Sequence, residues 1–284
     1  MRFNYLEPAT VEEAVSLLSK YGGKARAMAG GTDLLVQITD KVLQPEYVVD
    51  IGYIPGLEYI DYDEKQGLRI GTLTTVRAVE KSKEIRQLYP AISQAAGLLG
   101  SVAIRNVATI GGNLCNAAPS ADTLPALIGH SAKARITGTN GERVVPLEDF
   151  CTGPGCTVFK TGELLAEIQV PVPLPGTKGA YLKHGRSAID LAVVGVAVIM
   201  VLGIGEVCQD IKIVLGAVAP TPLRASKAEE ILRGKKIEPA LIEQAALVAA
   251  GEAKPISDVR SSAEYRTEML KVLTRRAIEQ IIAK

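Results

Sequence analysis

Two short segments of the sequence pair consecutive glycines with small hydroxyl, amide and carboxyl side chains: AMAGGTDLL at 27–35 and TIGGN at 109–113. Glycine allows a positive φ and lets the main chain come close to a ligand. Successive N–H groups in such a turn point inward and form a cradle for an anion, and a helix that begins directly afterwards adds its positive end. The predicted chemistry is the binding of a pyrophosphate by main-chain groups, without a cluster of cations.

Two further residues fit that chemistry, but each also has a simpler interpretation. Asp122 is suited to accept hydrogen bonds from ribose hydroxyls, and Lys183, in YLKHGR, is suited to reach a bound anion across a domain boundary. The alternative is that both glycine pairs are tight turns between packed elements and that Lys183 is a solvated strand residue. From the residues alone, the two interpretations of the glycine pairs are about equally supported.

The signatures of other nucleotide sites and of hydrolytic sites do not occur in the sequence. There is no GxGxxG after a strand and no GxxxxGK[ST], and there is no GxSxG. The two histidines, His130 and His184, show no link in the sequence to a nucleophile, and the four cysteines form no CxxC pair. We therefore predict neither a hydrolytic triad nor a metal site. The sequence offers binding groups but no acid–base pair for a substrate.

Length and composition predict an intracellular globular protein of two domains. The chain has 284 residues, 47% of them hydrophobic, and 32 Lys+Arg against 31 Asp+Glu leave a formal net charge of +1. That length exceeds the usual size of one domain. The near-neutral charge argues against a nucleic-acid partner. The most apolar run, at 191–204, is too short for a membrane helix, and the N-terminus has no signal-peptide core. We therefore predict a cytoplasmic location.

The order of predicted elements divides the chain near residue 175, at the Pro-rich linker 171–176. Hydrophobic periodicity and capping signals predict helices near 10–22, 34–38, 76–88, 90–99, 122–128, 226–232, 239–251 and 263–283, and strands near 24–29, 46–51, 57–61, 68–71, 132–136, 143–146, 163–170, 180–184, 191–202 and 207–217. The string TIGGNLCNAAPSAD at 109–122 predicts no helix and no strand of its own. The second part of the chain, strands followed by helices, is an α+β pattern.

Five motifs give the chain a resemblance to a known family. AGGTDLL, RNVATIGGNLCNAAPSADTLPAL, FCTGPG, ELLAEIQVPVP and YLKHGRSAIDLA occur in the order found in the FAD-binding medium subunits of molybdenum hydroxylases, of the xanthine dehydrogenase and carbon monoxide dehydrogenase types. The resemblance covers nearly the whole chain. It implies an α+β protein: a two-subdomain α/β FAD-binding domain of the vanillyl-alcohol-oxidase (PCMH) type over 1–176, and a C-terminal α+β domain, a three-stranded antiparallel sheet with helices, over 177–284.

The same resemblance implies a set of cofactor-binding residues. In the family the first glycine segment wraps the FAD pyrophosphate, and the second does the same from the other side. Asp122 matches a residue near the adenosine half, Leu165 one that contacts the flavin region by its main chain, and Lys183 a flavin-side lysine, although its spacing to Asp190 is one residue shorter than in close relatives. The implied set is Ala27, Met28, Ala29, Gly30, Gly31, Thr32, Asp33, Leu34, Thr109, Ile110, Gly111, Gly112, Asn113, Asp122, Leu165 and Lys183.

The function that the resemblance implies is electron transfer. A large partner subunit holds the molybdenum cofactor and hydroxylates the substrate, a small partner carries two [2Fe–2S] clusters, and FAD passes electrons to NAD⁺ or another acceptor, in a dimer of heterotrimers. Thr32-Asp33 after the first glycine pair favours the xanthine dehydrogenase type, since the carbon monoxide dehydrogenase type carries His-Ser there. No insertion for a [4Fe–4S] cluster occurs. The alternatives are a stand-alone flavoenzyme, with His184 as its proton-transfer residue, and an assembly protein that has lost the cofactor.

Overall fold

The N-terminal part of the chain forms a small parallel sheet with two helices. The structure, a computed structural model, describes residues 2–283. Strands β1 (Asn4–Leu6), β2 (Ala25–Met28) and β3 (Tyr47–Asp50) pair in the order β1-β3-β2, with helix α1 (Val11–Tyr21) before β2 and helix α2 (Leu34–Thr39) after it. Because β2 and β3 run parallel, their carboxyl ends meet at one edge. The first glycine segment leaves β2 at that edge, where open parallel sheets place ligands.

A second, antiparallel sheet follows, together with a group of short helices. Its strands are β4 (Ile60–Asp63), β5 (Gly67–Gly71), β6 (Lys133–Gly138), β7 (Gly141–Pro146) and β10 (Leu164–Val170), in the order β4-β5-β10-β6-β7, and β8 (Cys151–Gly153) pairs with β9 (Cys156–Thr157). The helices are α3 (Val76–Lys81), α4 (Lys83–Leu88), α5 (Pro90–Gly97), α6 (Val102–Arg105), α7 (Ile110–Cys115) and α8 (Thr123–Gly129).

Hydroxyl side chains fix where several of these helices begin. Thr10, Thr75 and Ser101 each stand at an N-cap and accept a hydrogen bond from the N–H three residues further on, which satisfies a donor that has no partner inside the helix. Ser82 ends α3 and caps α4 in the same way, through Ile85 N–H at 3.2 Å. The single helix predicted over 76–88 is therefore wrong, because this serine divides it.

The glycine-rich string at 109–122 is also different from the prediction, since it contains helix α7. Thr109 caps that helix by accepting a hydrogen bond from Gly112 N–H at 3.0 Å. Glycine and asparagine are poor helix formers, but close packing requires the glycine here. A methyl group on Gly111 would lie 1.8 Å from the hydroxyl oxygen of Thr72. Tertiary packing overrides local propensity at this helix.

The C-terminal part of the chain is an antiparallel sheet covered by three helices. Its strands are β11 (Thr177–His184), β12 (Val194–Leu202), β13 (Cys208–Gly216) and β14 (Leu223–Arg224), paired in that order, and its helices are α9 (Ser226–Leu232), α10 (Pro239–Glu252) and α11 (Ala263–Ile282). The three predicted strands are present, but the predicted number is corrected to four by the short strand β14, which pairs with β13 at Leu215 and Val214.

The apolar interior runs without a break from the helical region into the C-terminal sheet. Every residue of α8 is buried, and its apolar side chains share one core cluster with Tyr181, Ile199 and Val214 of the C-terminal strands. A second cluster fills the space between that sheet and helices α9–α11. The mixed fold of helices and strands confirms the predicted α+β class. Among residues 2–283, no helix has the length and apolar character needed to cross a membrane.

Candidate functional site

The first glycine segment presents a row of unused main-chain donors. Within residues 2–283, the N–H groups of residues 29–34 have no hydrogen-bond acceptor, and the next amide, Leu35 N–H, returns to the carbonyl of Gly31 at 3.0 Å. A helix leaves its first N–H groups without partners, and here the turn before α2 adds more. Gly31 takes a φ of +68°, which favours glycine. Six consecutive donors at a helix N-terminus form an anion cradle of the kind predicted from the sequence.

The two glycine segments lie against each other. A methyl group on Gly30 would lie 2.0 Å from the carbonyl oxygen of Val107 and 3.2 Å from Cα of Ala108, so only glycine allows this approach. The side-chain amide of Gln37, on α2, also donates to the side-chain oxygen of Asn116 at 3.1 Å. The structure thus brings together the two segments that the sequence singled out separately.

The second glycine segment differs from the first because its amides are already used. Ile110 N–H donates to Thr74 O at 2.9 Å, Gly111 N–H to Thr72 O at 3.0 Å, and Asn113 N–H to Thr109 O at 3.0 Å. Gly112 N–H donates to the Thr109 hydroxyl. These four amides therefore add nothing to the row of free donors. The lack of a side chain at Gly111 allows close packing against Thr72. A role for residues 109–113 in binding a ligand stays a prediction.

Asp122 and Lys183 form a buried ion pair. Lys183 Nζ lies 2.9 Å from Asp122 Oδ2, and the two side chains are only 5% and 4% exposed. Lys183 also donates to Leu98 O at 2.9 Å, and Tyr181 O–H donates to Asp122 Oδ1 at 3.0 Å. Burial raises the pKa of Asp122, while Lys183 and the hydrogen bonds act in the opposite direction. Lys183 is therefore not a solvated strand residue.

Leu165 lies on β10 beside an irregularity in the sheet. Its side chain is buried in the core, and a contact between its main chain and a ligand stays a prediction. The pairing of β10 with β6 shifts between Leu165 and Glu167, and Ala166 O accepts a hydrogen bond from Thr72 N–H at 3.1 Å. Since Thr72 O in turn accepts from Gly111 N–H, this strand is tied to the second glycine segment.

Sequence reasoning missed Thr72 and Tyr181. Thr72 carries no motif, and its role depends on two strands meeting. Tyr181 could have been found, because it stands two residues before Lys183 and alternate residues of a strand share a face. The remaining candidates form no second site. His184 is near the Tyr265 hydroxyl, at 3.2 Å, and His130 is buried, with its pKa lowered to about 3 by desolvation. The described residues contain no group of His, Cys, Asp or Glu that fits a metal ion.

The arrangement therefore combines uncharged main-chain donors with an internally neutralised ion pair. Free N–H groups bind phosphate oxygens without a formal positive charge. The positive charge of Lys183 is compensated within the chain by the carboxylate of Asp122. The free N–H groups are chemically suited to an anionic group such as a phosphate.

Comparison with known proteins agrees with that description. Residues 1–173 match the family model described as the FAD binding domain in molybdopterin dehydrogenase, and residues 179–281 match the CO dehydrogenase flavoprotein C-terminal domain. The chain is 36% identical to the carbon monoxide dehydrogenase medium chain of Afipia carboxidovorans, covering 99% of this chain and 97% of that one. It is 31% identical to the xanthine dehydrogenase FAD-binding subunit of Escherichia coli O157:H7, covering 99% and 96%.

A solved structure is similar over the same length. A carbon monoxide dehydrogenase chain from Hydrogenophaga pseudoflava superposes with a TM-score of 0.96 at 35% identity, covering 100% of this chain and 98% of that one. The likeness thus includes both parts of the chain and confirms the resemblance drawn from the sequence. The chain belongs to the family of FAD-binding domains of molybdopterin dehydrogenases.

Proposed function

We propose that this chain holds FAD in the cradle at residues 27–34 and passes electrons as the FAD subunit of a molybdenum hydroxylase. The observation that carries the proposal is the row of free N–H groups at 29–34, set at the carboxyl edge of the parallel sheet and pressed against the second glycine segment. FAD has a pyrophosphate that such a row fits. When bound, FAD supplies the redox chemistry, and the protein supplies position and electrostatics.

Each part of the proposed site has its own task. Residues 27–34 hold the pyrophosphate, and residues 109–113 form the opposite wall, through their side chains and packing rather than through their occupied amides. Asp122 accepts hydrogen bonds from the adenosine half, because a carboxylate has about four lone-pair positions and Tyr181 and Lys183 use two of them. Leu165 approaches the flavin region by its main chain. Lys183 fixes Asp122 from the C-terminal part of the chain at 2.9 Å, so the two residues serve the same part of the cofactor rather than its adenosine and flavin ends separately.

The partners are proposed from the names of the relatives. Two of them are medium chains of carbon monoxide dehydrogenase, which supports a larger subunit with the molybdenum cofactor and a smaller one with [2Fe–2S] clusters. The sequence carries no recognised motif for acid–base catalysis, which fits this division, since the substrate would be handled on another chain. We propose a dimer of heterotrimers in the cytoplasm, with NAD⁺ or another acceptor.

The subtype is not decided by the dipeptide after the first glycine pair. Thr32-Asp33 favoured the xanthine dehydrogenase type, yet the identity is 36% to a carbon monoxide dehydrogenase chain and 31% to a xanthine dehydrogenase chain. The comparisons therefore do not support that preference. The choice of electron acceptor follows from the subtype and has to be measured.

A reconstitution experiment tests the proposal. The chain is assembled with its two partner subunits, the [2Fe–2S] clusters are reduced chemically, and bleaching of the FAD absorption band is followed in a stopped-flow instrument. We expect the FAD band to bleach and then to recover when the physiological acceptor is added. A complex lacking FAD is the control. If that complex reduces the acceptor at the same rate, this chain is not the route for the electrons.

A further inference from the structure

Two side chains of one strand hold the same carboxylate from the C-terminal sheet. Tyr181 and Lys183 are two residues apart on β11 and so share a face of the strand. The Tyr181 hydroxyl donates to Asp122 Oδ1 at 3.0 Å, and Lys183 Nζ lies 2.9 Å from Oδ2. Both oxygens of Asp122 are thereby fixed by residues that lie about sixty positions further along the chain. The orientation of the carboxylate is set by the C-terminal sheet.

The surroundings of Tyr181 are shaped to keep its hydroxyl in place. Tyr181 is 2% exposed, and a methyl group on Gly195, in the neighbouring strand, would lie 2.8 Å from its hydroxyl oxygen. The Tyr181 N–H is held by the side-chain oxygen of Gln94 at 2.8 Å. Burial raises the pKa of Tyr181 well above its usual range, so the hydroxyl remains a donor. Its hydroxyl is engaged with Asp122, so an effect of Tyr181 on a ligand would pass through that carboxylate.

Asp122 connects this arrangement to the second glycine segment. It is the N-cap of the fully buried helix α8 but makes no side-chain capping bond. The next residue, Thr123, donates its hydroxyl to the side-chain oxygen of Asn113 at 2.6 Å. A displacement of Asp122 therefore moves the start of α8 and, through Thr123, the side chain of Asn113.

We infer that Tyr181 is a positioning residue of the cofactor site: it orients Asp122, and through the Thr123–Asn113 hydrogen bond it holds the second glycine segment, without contacting the cofactor. This inference rests on the proposed function. The simpler interpretation is that Tyr181 is a core residue whose hydroxyl happens to find an acceptor. The two interpretations differ in what loss of the hydroxyl does to FAD affinity.

The test compares two tyrosine-to-phenylalanine variants of the full chain. Tyr181→Phe removes the donor to Asp122. Tyr89→Phe is the matched control, because Tyr89 is fully buried in the same core cluster and donates to a backbone carbonyl, Pro171 O, at 2.9 Å. FAD affinity is measured by flavin fluorescence titration and stability by thermal unfolding without FAD. We expect Tyr181→Phe to weaken FAD binding about tenfold, as for a hydrogen bond to a charged group, and Tyr89→Phe to leave it unchanged.

Repeating the Tyr181→Phe substitution in an Asp122→Asn variant shows whether the loss of FAD affinity depends on the charge of Asp122. A hydrogen bond to a charged acceptor is about twice as strong as one to a neutral acceptor, so in Asp122→Asn the loss caused by Tyr181→Phe should fall to about threefold. An equal loss in both backgrounds overturns the inference. So does equal FAD affinity in Tyr181→Phe and wild type, or an unfolding temperature far below that of Tyr89→Phe. If wild type itself binds no FAD, the proposed function fails instead.

Discussion

Replacement of Gly30 by alanine tests whether the two glycine segments form one site. The added methyl would lie 2.0 Å from Val107 O and 2.8 Å from Val107 C, both main-chain atoms, and real Cβ contacts below 3.0 Å essentially do not occur. The segments must therefore separate by about 1 Å, which takes the methyl from 2.0 Å to the 3.0 Å limit at Val107 O. The free chain can open in this way, because the amides of 29–34 have no partners to lose within residues 2–283. Bound FAD, in contrast, requires both walls.

The expected magnitude follows from the cost of closing an overpacked contact. Forcing an extra methyl into a packed region costs about 1–3 kcal/mol. FAD binding brings the segments back together, so this free energy is subtracted from the binding free energy. FAD affinity therefore falls by about tenfold to a hundredfold. The unfolding temperature without FAD should fall much less, since the free chain relaxes. The stabilisation produced by added FAD should shrink in parallel with the affinity.

Gly23→Ala is the matched control, because a methyl group on Gly23 meets nothing within 4 Å. Both variants are titrated with FAD by fluorescence quenching, and both are melted with and without FAD. We expect Gly23→Ala to behave as wild type in every measurement. If Gly30→Ala binds FAD as tightly as Gly23→Ala does, the contact between the segments is not part of the cofactor site.

Three further predictions concern residues around the cradle. Gly111→Ala should lower the free energy of unfolding by about 1–3 kcal/mol through its collision with Thr72, and denaturant titration showing a neutral change would contradict this packing. Asp122→Ala should lower the free energy of unfolding by about 3–5 kcal/mol, because Lys183 is left buried without its partner. Equal loss in a variant that also carries Lys183→Met would show that the ion pair is not the cause. Burial lowers the pKa of His130 to about 3, below the value of about 6.5 in the unfolded chain. The contribution of neutral His130 to the free energy of unfolding is therefore present above about pH 6.5 and is lost as the pH falls. Between pH 7 and pH 5 the loss should be about 2 kcal/mol, measurable by urea unfolding, and should disappear in His130→Leu; an unchanged loss in that variant would assign the pH dependence to other groups.

Most of the fold was predictable because its elements carry local signals. Helix α9 was predicted at its observed bounds, 226–232, and the predicted strand at 180–184 lies inside β11. Alternating and helical periodicities report which face of an element is buried, and both are local properties of the sequence. Helix α7 was missed because Gly111 and Gly112 lower helix propensity, whereas the helix is held by the Thr109 cap and by packing on Thr72.

The site was predictable in its parts but not in its assembly. The free N–H groups of the first glycine segment were predictable, because a glycine pair before a helix leaves such groups without partners, and their binding of a cofactor stays a prediction. That the second segment's amides are occupied depends on the carbonyls of Thr72 and Thr74, which no motif marks. The Tyr181–Asp122 hydrogen bond joins strand β11 to helix α8 across the apolar interior. Such contacts between distant parts of a chain have no signature in local sequence.

Whether this chain holds FAD is tested by identifying the cofactor that it carries. The chain is purified together with its partner subunits, its visible absorption spectrum is recorded, and the cofactor released by denaturation is identified by chromatography. We expect flavin bands and released FAD, in equal amount with the chain. Release of FMN would contradict the placement of the adenosine half near Asp122, and a colourless complex would contradict the cofactor site itself.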